Sequence, residues 1–156
     1  MSLPTATTSN DISNLDRPDR PEALLHVFAQ HLVWARESTL SSIAQRVESE
    51  EERSRLATAF RKPYDNAADL GESQRQAALK LVAVGVDSVL KEVLRILGNE
   101  GLDLKVSTSE AVRYRLDAEL CSIGSGAVLA SETISRGGPR FLPERWAEWL
   151  RRFRRR

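Results

Sequence analysis

Residues 73–98, SQRQAALKLVAVGVDSVLKEVLRILG, constrain the fold more than any other stretch, because they are apolar around most of a helical circumference. At about 100° per residue, Leu79, Val82, Val86, Val89, Leu90, Val93 and Leu97 centre on one side, and the apolar arc extends from Leu81 through Gly85 to Leu94. Only Lys80, Asp87, Lys91 and Arg95 form a polar stripe. Such a segment predicts a buried central helix. Ser73 and Gln76 read as a capping box at its start, and Gly98 with Asn99 as a left-handed stop. Asp87 reads as a solvated stripe residue paired with Lys91 at i,i+4. Gly85 costs a helix about 1 kcal/mol relative to alanine, so it reads either as the place where another helix backbone passes close by or as a tolerated accident.

The rest of the chain supplies helices to pack around that one. Residues 1–18 are mostly small and polar, and are expected to form a mobile arm; residues 19–156 form a single helical domain. Asp19 and Glu22 read as the capping box of a first helix reaching about Val47, with Leu25, Phe28, Leu32, Ala35, Ile43 and Val47 at helical spacing. Ser49 followed by Glu50, Glu51 and Glu52 reads as the start of a second helix with its acids at the positive end. That helix is expected to stop near Arg61, because Pro63 disfavours helical geometry in the residue before it. Residues 64–71 then connect to the central helix.

Beyond Gly101 the apolar period falls to two. Leu102, Leu104 and Val106, then Val112, Tyr114, Leu116, Ala118 and Leu120, alternate with polar residues and predict a small hairpin over about 102–120, turning at 107–110. A helix capped at Ser109 and burying Val112, Leu116 and Leu120 fits the same residues. Gly124-Ser125-Gly126 is a turn, and 127–134 carries no decisive pattern. Pro143 opens a last helix that carries Trp146, Trp149, Leu150 and Phe153 on one face. The expected fold class is therefore mainly α: a helical bundle around a buried central helix at 73–98, with the 102–120 hairpin packed on it as one alternative, ending in a basic amphipathic helix.

Charge is placed unevenly. The net charge is +1, but residues 136–156 carry +6 and residues 1–135 carry −5. Arginine outnumbers lysine throughout, so the position of the arginines is informative where their number is not. Arg145, Arg151, Arg152, Arg154, Arg155 and Arg156, with Trp149, are the candidate partner-binding residues, suited to a protein partner or to nucleic-acid phosphates. One cysteine excludes an internal disulfide, and no apolar run spans a bilayer or follows a basic leader, so a cytoplasmic protein without a transmembrane segment is expected.

The residues that usually carry chemistry are not arranged for it. His26 and His31 stand about 140° apart on a helix and cannot share a metal. His31, beside Val27 and Trp34, reads as a structural histidine, and Cys121 as a small buried thiol. Gly124-Ser125-Gly126 lacks the third glycine of a dinucleotide site and the lysine of a phosphate loop. No catalytic residue, metal or cofactor is expected. Arg20 followed six positions on by His26 resembles the arginine-to-histidine spacing of HEPN ribonucleases, which are small helical proteins; the resemblance covers those two residues and implies an RNA-cleaving alternative. The leading expectation is a non-enzymatic accessory, regulatory or assembly protein that binds a macromolecule through its basic C-terminal segment or an exposed helical face, with nucleic-acid binding as the second class. Nothing in the sequence fixes an oligomeric state.

Overall fold

The computed structural model describes residue 12 and residues 19–98, 104–106, 108–109, 111–112, 114–135 and 142–154. Among the described residues there are five helices: α1 Arg20–Glu48, α2 Glu50–Ser54, α3 Thr58–Ala68, α4 Glu72–Gly98 and α5 Leu142–Phe153. Four short strands, β1 Leu104–Lys105, β2 Ala111–Val112, β3 Asp117–Cys121 and β4 Val128–Thr133, form two antiparallel pairs. The fold is mainly helical with hairpin structure packed against the helices, as the periodicity implies. Contacts divide the chain into two compact units, residues 1–33 with 90–156 and residues 34–89. The helices α1 and α4 contribute residues to both.

The hydrophobic core lies in the first unit. Leu24, Leu25, Ala29 and Val33 of α1, Leu94 of α4, Ile134, and Leu142, Trp146 and Trp149 of α5 are its buried members. Ile12, Phe28, Leu90, Leu97, Leu150 and Phe153 pack around them. The apolar period of α5 matches the geometry: i, i+3, i+4 and i+7 put both tryptophans inward, and they are the largest fully buried side chains. Gly98 is the last residue of α4 and has no left-handed backbone. Its use is steric, since a Cβ there would stand 3.5 Å from Leu142 Cγ.

The β segment is two hairpins where the alternation predicts one. Leu104 pairs with Val112 and Lys105 with Ala111, so the first hairpin closes between Lys105 and Ala111; the expected turn at 107–110 includes residues outside those described. Residues 117–121 do not extend that ladder: they pair with 128–133, a piece whose sequence carries no decisive pattern. The helix alternative over 109–120 is thereby excluded. Along β3 the pleat turns Ala118 and Leu120 to the core and Asp117, Glu119 and Cys121 to solvent. Cys121 is exposed, not the buried thiol its small size suggests. The register shifts after Leu120, and Gly126, with φ 69°, takes the left-handed position of the connecting turn.

The second unit has a thin apolar interior: Val47 is its one fully buried hydrophobic among the described residues. Polar contacts supplement it. Arg53 donates to the carbonyls of Arg46 (3.2 Å) and Val47 (2.8 Å), capping the last turn of α1, and pairs with Asp65 at 3.0 Å. Arg46 stands over the Tyr64 ring, 5.8 Å from its centre. The predicted serine cap of α2 is present, Ser49 Oγ accepting from the Glu52 N–H. The predicted stop at Arg61 is not. The break falls earlier, between Ser54 and Thr58, and α3 runs through Pro63. Arg61 pairs with Asp65 across that proline at 3.0 Å, and Arg53 holds the same carboxylate, which helps offset the hydrogen bond that proline cannot make.

Helix α4 has the predicted limits and a different environment. Its start is Glu72, whose carboxylate accepts from Gln76 Nε2 at 2.9 Å, so the glutamine serves Glu72 and not Ser73. Leu94 is its only fully buried residue, and the expected burial around most of the circumference is absent. One face is covered and the other is not. No atom lies within 4 Å of a Cβ built on Gly85, so a close backbone there does not come from the described residues of this chain. Glu22 likewise forgoes a capping role, for reasons that belong to α5.

Candidate interaction surface

Helical geometry separates the apolar residues of α4 into two faces. Leu79, Val86, Leu90, Leu94 and Leu97 point one way and are half-buried or buried. Ala78, itself half-buried, with Val82, Gly85, Val89 and Ile96 lies about 100° further round the helix, flanked by Leu81 and Val93. On this second face Leu81 is 72% exposed and Val89 63%, and Val82, Val93 and Ile96 are exposed as well. Singly exposed aliphatics are ordinary; a continuous row along one helix is not. At Ala78 and Val82 the row borders an apolar cavity of about 260 Å³, walled by Val47, Pro63, Tyr64 and Leu79. A cavity beside an apolar ridge is the form in which a partner's anchoring side chain is taken up.

The face is held in place from behind. Asp87, on the opposite side of α4, accepts from Arg36 Nε at 2.6 Å and from Nη2 at 2.8 Å, a bidentate pair that fixes the rotation of α4 against α1 within the second unit. Arg36 also reaches Glu37 at 2.8 Å. Asp87 is thus a structural ion-pair partner and not the solvated stripe residue expected.

The C-terminal residues singled out in the sequence separate into three groups. Trp149 is fully buried and Arg145 is 6% exposed, so neither has surface to offer a partner. Arg151, Arg152 and Arg154 are exposed. Arg155 and Arg156 lie outside the described residues. Arg145 grips the Glu22 carboxylate with Nη1 at 3.0 Å and also through Nη2, while its guanidinium stands 5.5 Å from the centre of the Trp149 ring.

His26 joins this cluster. Its Nε2 lies 3.2 Å from Glu22 Oε1, 3.4 Å from Arg145 Nη2 and 3.4 Å from Arg152 Nη1, and its ring meets Phe153 edge-on. Burial and then the Arg152 charge push the His26 pKa below its ordinary value, against the pull of Glu22. Burial alone would raise Glu22; the hydrogen bond and charge of Arg145, with His26 and Arg152, overcome it and hold the carboxyl below its usual range. The two residues that carry the ribonuclease-like spacing go to different carboxylates, Arg20 to Glu132 at 3.2 Å and His26 to Glu22. Among the described residues no group of three or more histidine, cysteine or carboxylate side chains is placed to hold a metal ion, and no helix is long and apolar enough to cross a membrane.

Comparison with family models, with curated proteins and with solved structures finds no match.

The outward row on α4 is present in the sequence, where periodicity groups it with the core. One signal does mark it. The apolar arc is wider than the face a single helix buries, and Gly85 sits within it.

Proposed function

We propose that this chain is a non-catalytic interaction protein that presents the outward apolar face of α4, and the cavity beside it, to a protein partner. The observation that carries this reading is the row Leu81, Val82, Val89, Val93 and Ile96, exposed beside the covered arc of Leu79, Val86, Leu90, Leu94 and Leu97. Leaving such a row in water forgoes roughly 25 cal/mol for each Å² that a partner would cover. Two charged residues of α4 lie along the row, Glu92, which pairs with Arg95 at 2.7 Å, and Arg75 at the edge of the cavity, and the others point away from it. Recognition is of the helix-on-groove kind, with an apolar side chain entering the cavity at Val47 and Tyr64.

The test is capture of partners by the tagged full chain and by its Val89→Glu and Leu81→Glu variants. Both positions are exposed, so the variants keep the fold while placing a carboxylate on the face. Partners that depend on the face are lost from both; a partner set unchanged by either substitution overturns the reading.

A second reading rests on a different observation, the exposure of Arg151 and Arg152 in the last turn of α5 and of Arg154 just beyond it. It gives the chain a polyanion-binding role, with nucleic-acid phosphates or an acidic protein segment as the ligand.

A further inference from the structure

We infer that the occupant of the α4 face is a second copy of this chain, with the two α4 helices packed antiparallel across Gly85. The inference rests on the interaction-surface reading above and names its partner.

The spacing along the face is that of a coiled-coil seam. Ala78, Val82, Gly85, Val89, Glu92 and Ile96 alternate steps of four and three, which places Val82, Val89 and Ile96 in one set of heptad positions and Ala78, Gly85 and Glu92 in the other. Every member of the first set is branched and bulky. Two members of the second are the smallest residues there are. In an antiparallel pair each residue of one set sits opposite one of the other set. One register therefore puts Val89 over Gly85 of the copy, Ile96 over Ala78 and Val82 beside the flexible Glu92, and the twofold repeats each contact. The face is complementary to itself.

Gly85 is the residue that the chain alone does not explain. It sits in the middle of a 27-residue helix, where glycine is unfavourable, and the space a Cβ would take is empty. Across the twofold that space receives Val89 of the second copy, and the missing side chain lets the two backbones approach. The area agrees with a reversible pair. Leu81, Val82, Val89, Val93 and Ile96 expose on the order of 450 Å² per copy, so a pair that covers all of it buries about 900 Å², just under the roughly 1,000 Å² at which stable specific interfaces begin. The face is also uncharged at its centre, so two copies meet without like-charge repulsion.

The experiment is sedimentation of the full chain over a concentration series, with the Val89→Glu and Gly85→Leu variants, and disulfide trapping in a Cys121→Ser background. Wild type should pass from monomer to dimer with concentration, and each variant should weaken the pairing at least tenfold with its helical circular dichroism retained. Ser88 flanks the seam beside the twofold, so Ser88→Cys should link to itself under mild oxidation, while Lys91→Cys, on the far side of the helix, should not. A dimer untouched by both seam variants, or trapped equally through Lys91→Cys, overturns the inference. A chain that stays monomeric also overturns it, and partner capture then decides the broader reading separately: a different protein lost on Val89→Glu leaves the interaction face standing, and no protein lost removes it as well.

Discussion

Arg36 and Asp87 meet through two parallel hydrogen bonds, Nε to Oδ1 at 2.6 Å and Nη2 to Oδ2 at 2.8 Å, with the guanidinium side chain 11% exposed. The pair joins α1 to α4 in a unit where one hydrophobic residue is fully buried, so orientation there depends on geometry more than on apolar area. Removing Asp87 leaves the Arg36 charge largely out of water with Glu37 still paired to it at 2.8 Å. Asp87→Ala should therefore lower stability by about 2 kcal/mol, less than for a wholly buried pair because Asp87 keeps partial contact with solvent. Urea denaturation of the variant and wild type measures this; a change under about 0.5 kcal/mol would reduce the contact to an ordinary surface pair.

The position of the core leads to the opposite ranking of α4 and α5 from the one the sequence suggests. Trp149→Ala empties a fully buried site and should cost about 3–5 kcal/mol, enough to unfold much of a typical domain. Leu81→Ala and Val89→Ala, at exposed positions, should each shift stability by no more than about 0.5 kcal/mol at concentrations where the chain is monomeric. Thermal melts of the three variants check the ranking.

The fold class and most element limits are legible in the sequence because they depend on local pattern. The three-residue step from Ser49 to Glu52 writes its own cap, and the i, i+3, i+4, i+7 spacing of Trp146, Trp149, Leu150 and Phe153 writes the inward face of α5. What is not legible depends on which neighbour arrives. Periodicity shows that Val82 and Leu90 are both apolar; it does not show that one side of α4 is covered and the other open. Pro63 reads by its intrinsic cost, and the ion pairs that hold α3 together across it come from a residue twelve positions away as well as from the local turn. Arg145 and Trp149 belong by composition to a basic, aromatic binding end; the carboxylate of Glu22, 123 positions distant, draws the arginine inward.

The Glu22, His26, Arg145 and Arg152 cluster predicts acid sensitivity in two steps. The His26 pKa is lowered from 6.5, so below about pH 6.5 the unfolded chain takes up a proton that the folded chain resists. Stability therefore falls as pH drops from 6.5 through the folded value. The Glu22 pKa is lowered from 4.5, so its contribution is present above that value and is lost as pH falls through the folded one. Both steps have the same sign. Urea midpoints measured from pH 7.5 to 4 should decline, and His26→Gln should flatten the upper part of the curve. Arg152→Ser removes the nearest exposed cation and should raise the His26 pKa in an NMR titration; a fall would contradict the cluster's electrostatics.

The exposed arginines at and just beyond the end of α5 give the polyanion reading its own measurement. Replacing Arg151, Arg152 and Arg154 by serine removes three positive charges and little buried area. If duplex nucleic acid is bound through all three, the slope of log affinity against log salt should become shallower by about 2.7, at roughly 0.9 for each phosphate no longer neutralised. An unchanged slope would show that these side chains do not reach phosphate.

Gly85 allows the last prediction to separate folding from association in a single substitution. Alanine is the better helix former by about 1 kcal/mol, and within the described residues nothing stands within 4 Å of the added Cβ. Gly85→Ala should therefore stabilise the isolated chain, raising its urea midpoint at low concentration. In the antiparallel pair the same methyl enters the space opposite Val89 and holds the backbones apart, so the dimer should weaken while the monomer gains. A stability measured at low and at high protein concentration reads both effects, with the variant ahead of wild type in the first and losing that advantage in the second. A variant that gains equally at both concentrations would show that the glycine has no role at an interface.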